Sequence, residues 1–142
     1  MIRLATDTDM PNIRQLLKNA YLPIDGISEH RDHLYVMKDQ GSIIGAVGYE
    51  AYGADALLRS LIIGPSERGQ GYGRQLIAFI VGQAKSDGIR DAYALTTTIA
   101  DWLLRLGFVE IARSDAPMSL EASEEFQGAC PDTAKLFKLS IK

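Results

Sequence analysis

The sequence predicts one domain, residues 1–142, of the α/β (α+β) layer class. Three observations predict it: segments typical of strands dominate the first half, a glycine turn joins an apolar strand to an amphipathic helix, and helix and strand segments alternate afterwards. A chain of 142 residues can bury a core without metals or disulfides. Neither an internal repeat nor a low-complexity linker suggests a second domain.

The first half of the chain contains a strand, a helix and then three strands. Residues 2–5 predict a short strand, and Thr6 followed by Asp9 predicts the capped start of a helix. Apolar residues recur at helical spacing over 7–20, so this helix is amphipathic. β-Branched and aromatic residues then predict strands at 33–38, 42–50 and 56–63, the first two as an antiparallel hairpin. The third is nearly all apolar, which is typical of a central strand.

The second half alternates helices and strands. Apolar residues keep helical spacing from the glycine turn as far as Gly88, a residue type that commonly ends helices. The segments that follow predict a strand at 91–96, a helix at 99–106, a strand at 108–112, a short helix within 116–126 and a last strand at 134–141.

Composition limits the classes of partner. A net charge of -3 and the lack of any Lys/Arg-rich run argue against nucleic acid and membrane surfaces as partners. No apolar run reaches the roughly 20 residues that a membrane span needs. The single cysteine, Cys130, excludes an internal disulfide and indicates a reducing compartment, so a cytoplasmic location is expected. His30 and His33 lack nearby partners for a zinc site, so no metal is expected.

The segment "SERGQGYGRQ" places Gly69, Gly71 and Gly73 where a helix begins. The first N–H groups of a helix have no partner within it and carry partial positive charge, which suits a phosphate group. Glycines let the backbone approach a ligand closely, and Arg68 and Arg74 add positive charge. The Rossmann fingerprint fails on its third glycine, and the nucleoside-triphosphate loop fails because no Gly-Lys-Ser/Thr follows. A phosphate cradle is therefore expected, with a turn used only for tight packing as the alternative.

This pattern, an Arg-x-x-Gly-x-Gly segment between a buried strand and a long helix, resembles motif A of the GNAT superfamily of acyl-CoA-dependent N-acetyltransferases. The order of elements along the chain is similar to that family as well. The resemblance implies a mixed, mostly antiparallel sheet of about six to seven strands, splayed in the middle and flanked by helices on both faces. It also implies acetyl-CoA as co-substrate, and it leaves open a homodimer that shares the C-terminal strand.

In the GNAT family the backbone of the motif A strand holds the pantetheine arm, and the glycine turn holds the pyrophosphate. By resemblance the coenzyme-binding residues are Leu61, Ile62, Ile63, Arg68, Gly69, Gln70, Gly71, Tyr72, Gly73, Arg74 and Leu103. The thioester would lie between Ser60 and Thr96, and a backbone N–H near Leu61 or Ile62 would stabilise the developing oxyanion.

The groups that would transfer protons depart from the pattern of the family. Many members of the family have a tyrosine four residues before the Gly-Phe pair, as donor to the departing sulfur, but "DWLLRLGF" has Leu103 at that position. Water or a hydroxyl group would replace it, and Thr97 is assigned that role among the candidates Thr96, Thr97, Thr98 and Tyr52. Glu50 is the candidate base, since the pKa of a half-buried carboxyl group can be raised. The alternative for Glu50 is a solvated residue at a strand end.

The acceptor is suggested by two further resemblances. The segment "LTTTIADWLLRLGF" is similar to the acetyltransferase domain of N-acetylglutamate synthases. The full chain, including "LLRSL" and the C-terminal segment "EEFQGACPDTA", resembles small acetyltransferases of arsenic-resistance gene clusters. Both imply an amino-acid-like substrate with an amine and a carboxylate. Arg59 suits that carboxylate, the alternative being an ion pair with Glu50 or Asp55. The expected substrate-binding residues are Arg59, Ser60, Thr96, Tyr52 and His30.

Two other functions remain open at this point. The missing tyrosine leaves open a second function, that of a catalytically silent module that binds acyl-CoA. A peptide or protein N-acetyltransferase is the third reading, although no acidic groove for a basic tail is visible in the sequence. Trp102 is expected in the core, with a contact to the acyl or substrate pocket as the alternative. A cysteine could suggest arsenic binding, but trivalent arsenic needs two or three thiolates and the chain has only Cys130. Cys130 is therefore expected to be a small buried residue.

Overall fold

The computed structural model describes residues 1–129 and 133–141 of the chain. Its strands are β1 (Ile2–Leu4), β2 (Leu34–Asp39), β3 (Ser42–Tyr52), β4 (Asp55–Ile63), β5 (Asp91–Thr96), β6 (Val109–Ile111) and β7 (Lys135–Ser140). They form one seven-stranded sheet in the order β1-β2-β3-β4-β5-β7-β6. Every neighbouring pair is antiparallel except β4 and β5, which are parallel. The predicted mixed, mostly antiparallel sheet is confirmed.

Three helices cover the two faces of the sheet, α1 (Met10–Asn19), α2 (Tyr72–Ser86) and α3 (Ala100–Arg105). Ile13 and Leu17 of α1 pack in a cluster with Ala46 of β3. Leu76 of α2 packs in a second cluster that includes Val47 of the same strand and a leucine of α3. Because successive residues of a strand point to opposite faces, α1 lies on one face and the other two helices lie on the other. No helix in the described part of the chain has the length and apolar character needed to cross a bilayer.

The start of α1 is stabilised by one carboxylate. The Asp9 Oδ2 atom accepts hydrogen bonds from the Thr6 N–H (2.8 Å) and the Thr6 hydroxyl (3.0 Å). Arg3 reaches the same carboxylate from β1 through two hydrogen bonds, of 2.7 and 3.1 Å. The predicted cap at Thr6 and Asp9 is confirmed, but α1 begins at Met10 because Asp7–Asp9 form a 3₁₀ turn first.

The β3–β4 hairpin is longer than predicted. Pairing continues to Tyr52 and Asp55, which leaves Gly53 and Ala54 as a two-residue turn. Gly53 has a φ of 66°, in the left-handed region that such tight hairpin turns require. The short turn holds both strands in register to their ends, so β3 extends two residues beyond the predicted end at residue 50.

The tail crosses the face of the sheet that also carries α1. After β6, the segment Met118–Ala122 forms 3₁₀ turns, where a short helix was predicted. Leu120 is fully buried and packs with Leu57, Tyr93 and Leu136. This anchor carries the next residues of the tail toward β3 and β4.

A bulge and a splay at β4 create the space for a site. Arg59 pairs with Gly48 and Ile62 pairs with Ala46, so two residues of β4 stand opposite one residue of β3. Ser60, in the bulge, has a φ of 60°, which is unusual for a residue with a side chain. On the other side, the pairing of β4 with β5 ends at Leu58 and Ala94. The rest of β4 therefore separates from β5, as the resemblance implied.

Candidate functional site

A cleft runs along the separated part of β4 and consists of three adjoining spaces. The turn cavity, of about 270 Å³, lies at the glycine turn. The edge groove, of about 640 Å³, follows the free edge of β4 and shares Ile63, Gly73 and Trp102 with the turn cavity. The acceptor cavity, of about 360 Å³, lies between β4 and β5 and shares Tyr21 and Leu61 with the edge groove. One long ligand can therefore extend from the turn to the acceptor cavity.

The glycine turn leaves its backbone accessible. Gly71 directly precedes α2 with a φ of 83°, and Gly69 has a φ of 82°. No atom lies within 4 Å of the position where a Cβ would stand at either glycine, so the surface above the turn is open. The first helical hydrogen bond runs from the Gln75 N–H to the Gly71 carbonyl (3.2 Å). The N–H groups before it have no helical acceptor and are free to bind an anion.

Most of the predicted coenzyme-binding residues line this cleft. Ile62 and Ile63 line the edge groove, and Leu61 lines both this groove and the acceptor cavity. The turn cavity is lined by Arg68, Gly69, Gly71, Tyr72, Gly73 and Arg74. Gln70 is exposed and does not line it. Arg68 folds back, with its Nε donating to the Ile63 carbonyl (3.1 Å), and Arg74 stays exposed at the turn.

The acceptor cavity is mostly apolar. Its walls come from the loop after α1, from β4, from β5 with the segment that follows it, and from the helices and the tail. The lining residues are Ala20, Tyr21, Leu22, Pro23, Leu58, Arg59, Ser60, Leu61, Ile77, Ala94, Leu95, Thr96, Thr97, Thr98, Ile99, Leu103, Glu125 and Ala134. Among the lining residues that the structure describes, the charged ones are Arg59 and Glu125. An apolar space with two opposite charges suits a small polar substrate in a defined orientation.

Arg59 is the centre of a buried ionic cluster beside this cavity. Its side chain is 2% exposed, and its Nη1 donates to Glu50 Oε2 at 2.6 Å. Its Nε donates to the Ser60 hydroxyl at 3.2 Å. Its Nη2 has no hydrogen-bond partner among the described residues. The predicted alternative of an ion pair with Glu50 is therefore confirmed, and a buried donor left without a partner among the described residues is unusual.

Glu50 lies behind Arg59 and does not line the acceptor cavity. It is neither half-buried nor at a solvated strand end, because its side chain is only 1% exposed. Burial by itself would raise the pKa of this carboxyl group, but hydrogen bonds from Ser123, Tyr52 and Arg59 outweigh it and hold the pKa below its ordinary value. The expectation of a raised pKa at Glu50 is wrong, since these donors stabilise the ionised form. The geometry favours Glu50 as the group that positions Arg59.

Two tail residues join the cluster, and the sequence analysis missed both. Ser123 is 1% exposed and Glu125 is 4% exposed. The Glu125 N–H donates to the Ser123 hydroxyl (3.2 Å), and Glu125 Oε2 lies 3.6 Å from Arg59 Nε. The segment "ASEEF" looks like an ordinary polar tail. The signal that could have found these residues is the charge on β4, since a buried arginine needs more than one anionic or polar partner.

The threonines after β5 lie at the cavity as predicted, with different hydrogen bonding. Thr96 lines the cavity, and its hydroxyl accepts the N–H groups of Thr98 and Ile99, both at 3.1 Å. It therefore caps the turn that leads into α3. Thr97 lines the same cavity and is exposed. Leu103 is buried and forms part of the wall at the position where the family tyrosine was expected.

Tyr52 and His30 lie outside the walls of the acceptor cavity. The Tyr52 hydroxyl donates to Glu50 Oε1 at 2.6 Å, and burial raises the pKa of this phenol. His30 Nε2 lies 3.8 Å from the same Glu50 oxygen. Both residues lie beside the buried carboxylate of Glu50, so they belong to the ionic cluster and do not line the acceptor cavity.

Trp102 is half-buried and lines the edge groove and the turn cavity. Its ring also lies against Gly73, where an added Cβ would approach Cζ2 to 3.3 Å. Trp102 thus packs partly against the core, as predicted, but the spaces that it borders are the edge groove and the turn cavity and not the acceptor cavity. Cys130 lies outside the described residues. Within residues 1–129 and 133–141, no group of three or more His, Cys, Asp and Glu side chains is arranged to hold a metal ion.

Comparison with known proteins agrees with this architecture. The family model described as the acetyltransferase (GNAT) domain matches residues 30–110, which is more than half of the chain. An amino-acid acetyltransferase of Neisseria meningitidis serogroup A is 28% identical over 127 residues, which cover 82% of this chain and 29% of the relative. The chain therefore spans under a third of the length of that curated relative.

Solved structures show the same fold. N-acetylglutamate synthase from Neisseria gonorrhoeae, complexed with coenzyme A and N-acetyl-glutamate, superposes with a TM-score of 0.86 at 20% identity, covering 100% of this chain and 35% of that chain. The protein Rv2747 from Mycobacterium tuberculosis, in complex with CoA, superposes with a TM-score of 0.81 at 16% identity, covering 99% of this chain and 98% of that one. At these identities the similarity establishes the shape of the domain.

Proposed function

The chain belongs to the GNAT acetyltransferase family, and on that premise we propose that it is an acetyl-CoA-dependent N-acetyltransferase acting on the amine of a small amino-acid-like substrate. The observation that carries the proposal is the continuous cleft, which joins the open backbone of the glycine turn to the buried guanidinium of Arg59. One end suits a phosphate ester and the other suits a carboxylate.

Coenzyme A fits the residues of the cleft. The backbone before Gln75 offers unpaired N–H groups, and the glycines beside them leave room for a pyrophosphate. The edge of β4 beyond Leu58 is unpaired toward β5, so a pantetheine arm, which carries amide groups, can bind there as an additional strand would. When bound, acetyl-CoA supplies an acyl group at a thioester.

The residues of the chain then have three tasks in the transfer. The bulge at Ser60 turns the backbone of β4 at the place where the edge groove meets the acceptor cavity. An N–H of this segment, near Leu61 or Ile62, is the proposed donor to the oxygen of the reacting carbonyl. The apolar walls exclude water from the thioester, and Thr97 is the proposed hydroxyl near the departing sulfur.

Substrate selection is proposed to rest on Arg59. Its Nη1 is held by Glu50 and its Nε by Ser60, so the remaining Nη2 can bind a substrate carboxylate in a fixed place. The curated relative is an amino-acid acetyltransferase, which supports an amino-acid-like acceptor for this chain. The resemblance to proteins of arsenic-resistance clusters stays a prediction, as do the cytoplasmic location, the single domain over 1–142 and a homodimer.

A second candidate function is a catalytically silent module that binds acyl-CoA. One observation favours it: Leu103, which is buried in the cavity wall, stands where the family tyrosine would donate a proton. Both functions need coenzyme A to bind, so they differ only in turnover.

The experiment that tests the proposal measures binding and turnover separately. Calorimetric titration with coenzyme A tests the cleft, and release of free thiol from acetyl-CoA with each of the common amino acids tests the transfer. An N-acetyltransferase binds coenzyme A and releases thiol only when an accepted amino acid is present. Binding without release for every amino acid would favour the silent module, and no binding would refute both functions.

A further inference from the structure

The acceptor cavity contains a second charged group whose role is separate from that of Arg59. We propose that Glu125 binds the ammonium group of the substrate and accepts its proton, while Arg59 holds the substrate carboxylate. This inference rests on the proposed acetyl transfer and adds the residue that makes the amine nucleophilic.

The hydrogen bonding of Arg59 indicates that an anionic group can bind in the cavity. A guanidinium has five N–H donors; in Arg59 one on Nη1 donates to Glu50 and the one on Nε donates to Ser60. Nη2 is buried without a partner among the described residues, although Arg59 lines the cavity. A buried donor without an acceptor is unfavourable, so a ligand oxygen at Nη2 would be strongly bound.

Glu125 is positioned beside the Arg59 side chain by the fold. Glu125 lines the same cavity and is 4% exposed. Its backbone N–H is tied to the buried hydroxyl of Ser123, so the residue is held at the sheet surface. The distance of 3.6 Å from its Oε2 to Arg59 Nε is too long for a hydrogen bond, so the two side chains attract each other without sharing a proton.

The charges of the cluster match a zwitterion. The described side chains at its centre are two carboxylates, Glu50 and Glu125, and one guanidinium, Arg59. Glu50 is bonded to Arg59 at 2.6 Å and does not line the cavity, whereas Glu125 is one of the lining residues. An α-amino acid presents a carboxylate and an ammonium on the same carbon atom, and these can meet Nη2 of Arg59 and the carboxylate of Glu125 together.

The proton balance of the transfer is complete with this assignment. One proton of the ammonium moves to Glu125, and the neutral nitrogen forms a bond to the thioester carbon as the carbon–sulfur bond breaks. A second nitrogen proton ends on the departing sulfur to give the free thiol, the third stays on the amide, and Glu125 returns its proton to water.

The test compares Glu125→Gln with wild type in kcat/KM over pH, using L-glutamate first and then the other common amino acids as acceptors. At about pH 7 the variant should lose about 10²–10⁴ in kcat/KM, the usual contribution of a positioned base. It then depends on amine that is neutral in solution, so the ratio of wild type to variant should fall by up to about tenfold per pH unit between about pH 7 and about pH 9.

The other titratable groups that the structure describes near the cavity are present in both enzymes, so their own titration cancels to first order in this ratio. They are Arg59, Glu50, Tyr52, His30, Tyr21 and Glu124. Glu121→Gln is the matched control, because Glu121 lies in the same tail segment with an exposed side chain. It should leave both kcat/KM and its pH profile unchanged.

Two results would overturn the inference. One is a Glu125→Gln variant with wild-type kcat/KM, and the other is a loss that stays constant with pH, which would mean that Glu125 only supports Arg59. Coenzyme A titration of the variant shows whether it folds, and if it does not, Glu125→Asp replaces it. That variant keeps a carboxylate and should keep the wild-type shape of the pH profile at lower kcat, so a steep profile there would count against the inference. Absence of turnover in the wild type would instead refute the proposed function.

Discussion

The ion pair between Glu50 and Arg59 should be energetically coupled, and a double-mutant cycle can measure this. Both side chains are at least 98% buried, being 1% and 2% exposed, and their N–O distance is 2.6 Å. Removing one partner of such a pair leaves an uncompensated buried charge, which costs about 3–5 kcal/mol. We therefore expect Arg59→Met and Glu50→Gln each to destabilise the fold by about 3 kcal/mol. The double variant should cost less than the sum by about 1 kcal/mol or more, since neither charge is then left alone.

Urea unfolding measures this cycle directly. With a slope of about 2 kcal/mol per molar urea, a loss of 3 kcal/mol shifts the midpoint by about 1.5 M. Arg31→Met is the matched control, because Arg31 forms an ion pair with Asp7 in which the side chains are 43% and 83% exposed. It should change the stability by less than about 1 kcal/mol. If the effects of Arg59→Met and Glu50→Gln on the free energy of unfolding add to within about 0.5 kcal/mol, the two side chains are not energetically coupled and the prediction is wrong.

Three further predictions follow from the same structure. Gly71→Ala and Gly53→Ala both place a side chain at positive φ with open space around it, so each should cost about 1 kcal/mol, but only Gly71→Ala should weaken coenzyme A binding in calorimetry. Equal coenzyme A affinity for both would contradict the role of the turn. Trp102, the single tryptophan, lines the coenzyme side of the cleft, so its fluorescence should change on titration with coenzyme A, and an unchanged spectrum at saturation would place the ligand elsewhere. The hydrogen bonds from Arg3 hold the pKa of Asp9 well below its usual range, so Asp9 stabilises the fold above about pH 4, and this contribution is lost as the pH falls toward the lowered pKa. Asp9→Ala should therefore cost about 1–2 kcal/mol near pH 7 and progressively less below about pH 4, and a pH-independent cost in urea unfolding would contradict this.

The glycine turn and the strand and helix beside it were predictable because their signals are local. Gly71 adopts a positive φ directly before α2. Because glycine tolerates such a φ, a glycine before a predicted helix indicates this turn from the sequence alone. The apolar run of β4 indicates a central strand, and its parallel neighbour follows from the helix between them. Each of these inferences needs only a short segment and its immediate flanks.

The pair of Glu50 and Arg59 is an intermediate case. The two-residue turn at Gly53 sets the hairpin register, in which Glu50 stands opposite Leu57 and Arg59 stands opposite Gly48. The two charged residues are therefore diagonal neighbours on one face, and the sequence analysis named this pairing as an alternative. What it could not supply is the burial, which lowers the exposure of Glu50 to 1% and surrounds it with three donors.

By itself, the sequence determined the family-like order of elements, the glycine turn before α2 and the charge on β4, because these depend on residue type and spacing within one segment. Only the tertiary structure decided that Ser123 and Glu125 belong to the site. Their position depends on Leu120 packing into the sheet more than fifty residues along the chain from Leu57, and contacts at such separation are set by the shape of the whole core. The conformation of the glycine turn thus depends on neighbouring residues, whereas the acceptor end of the cleft forms only after the tail has folded onto the sheet.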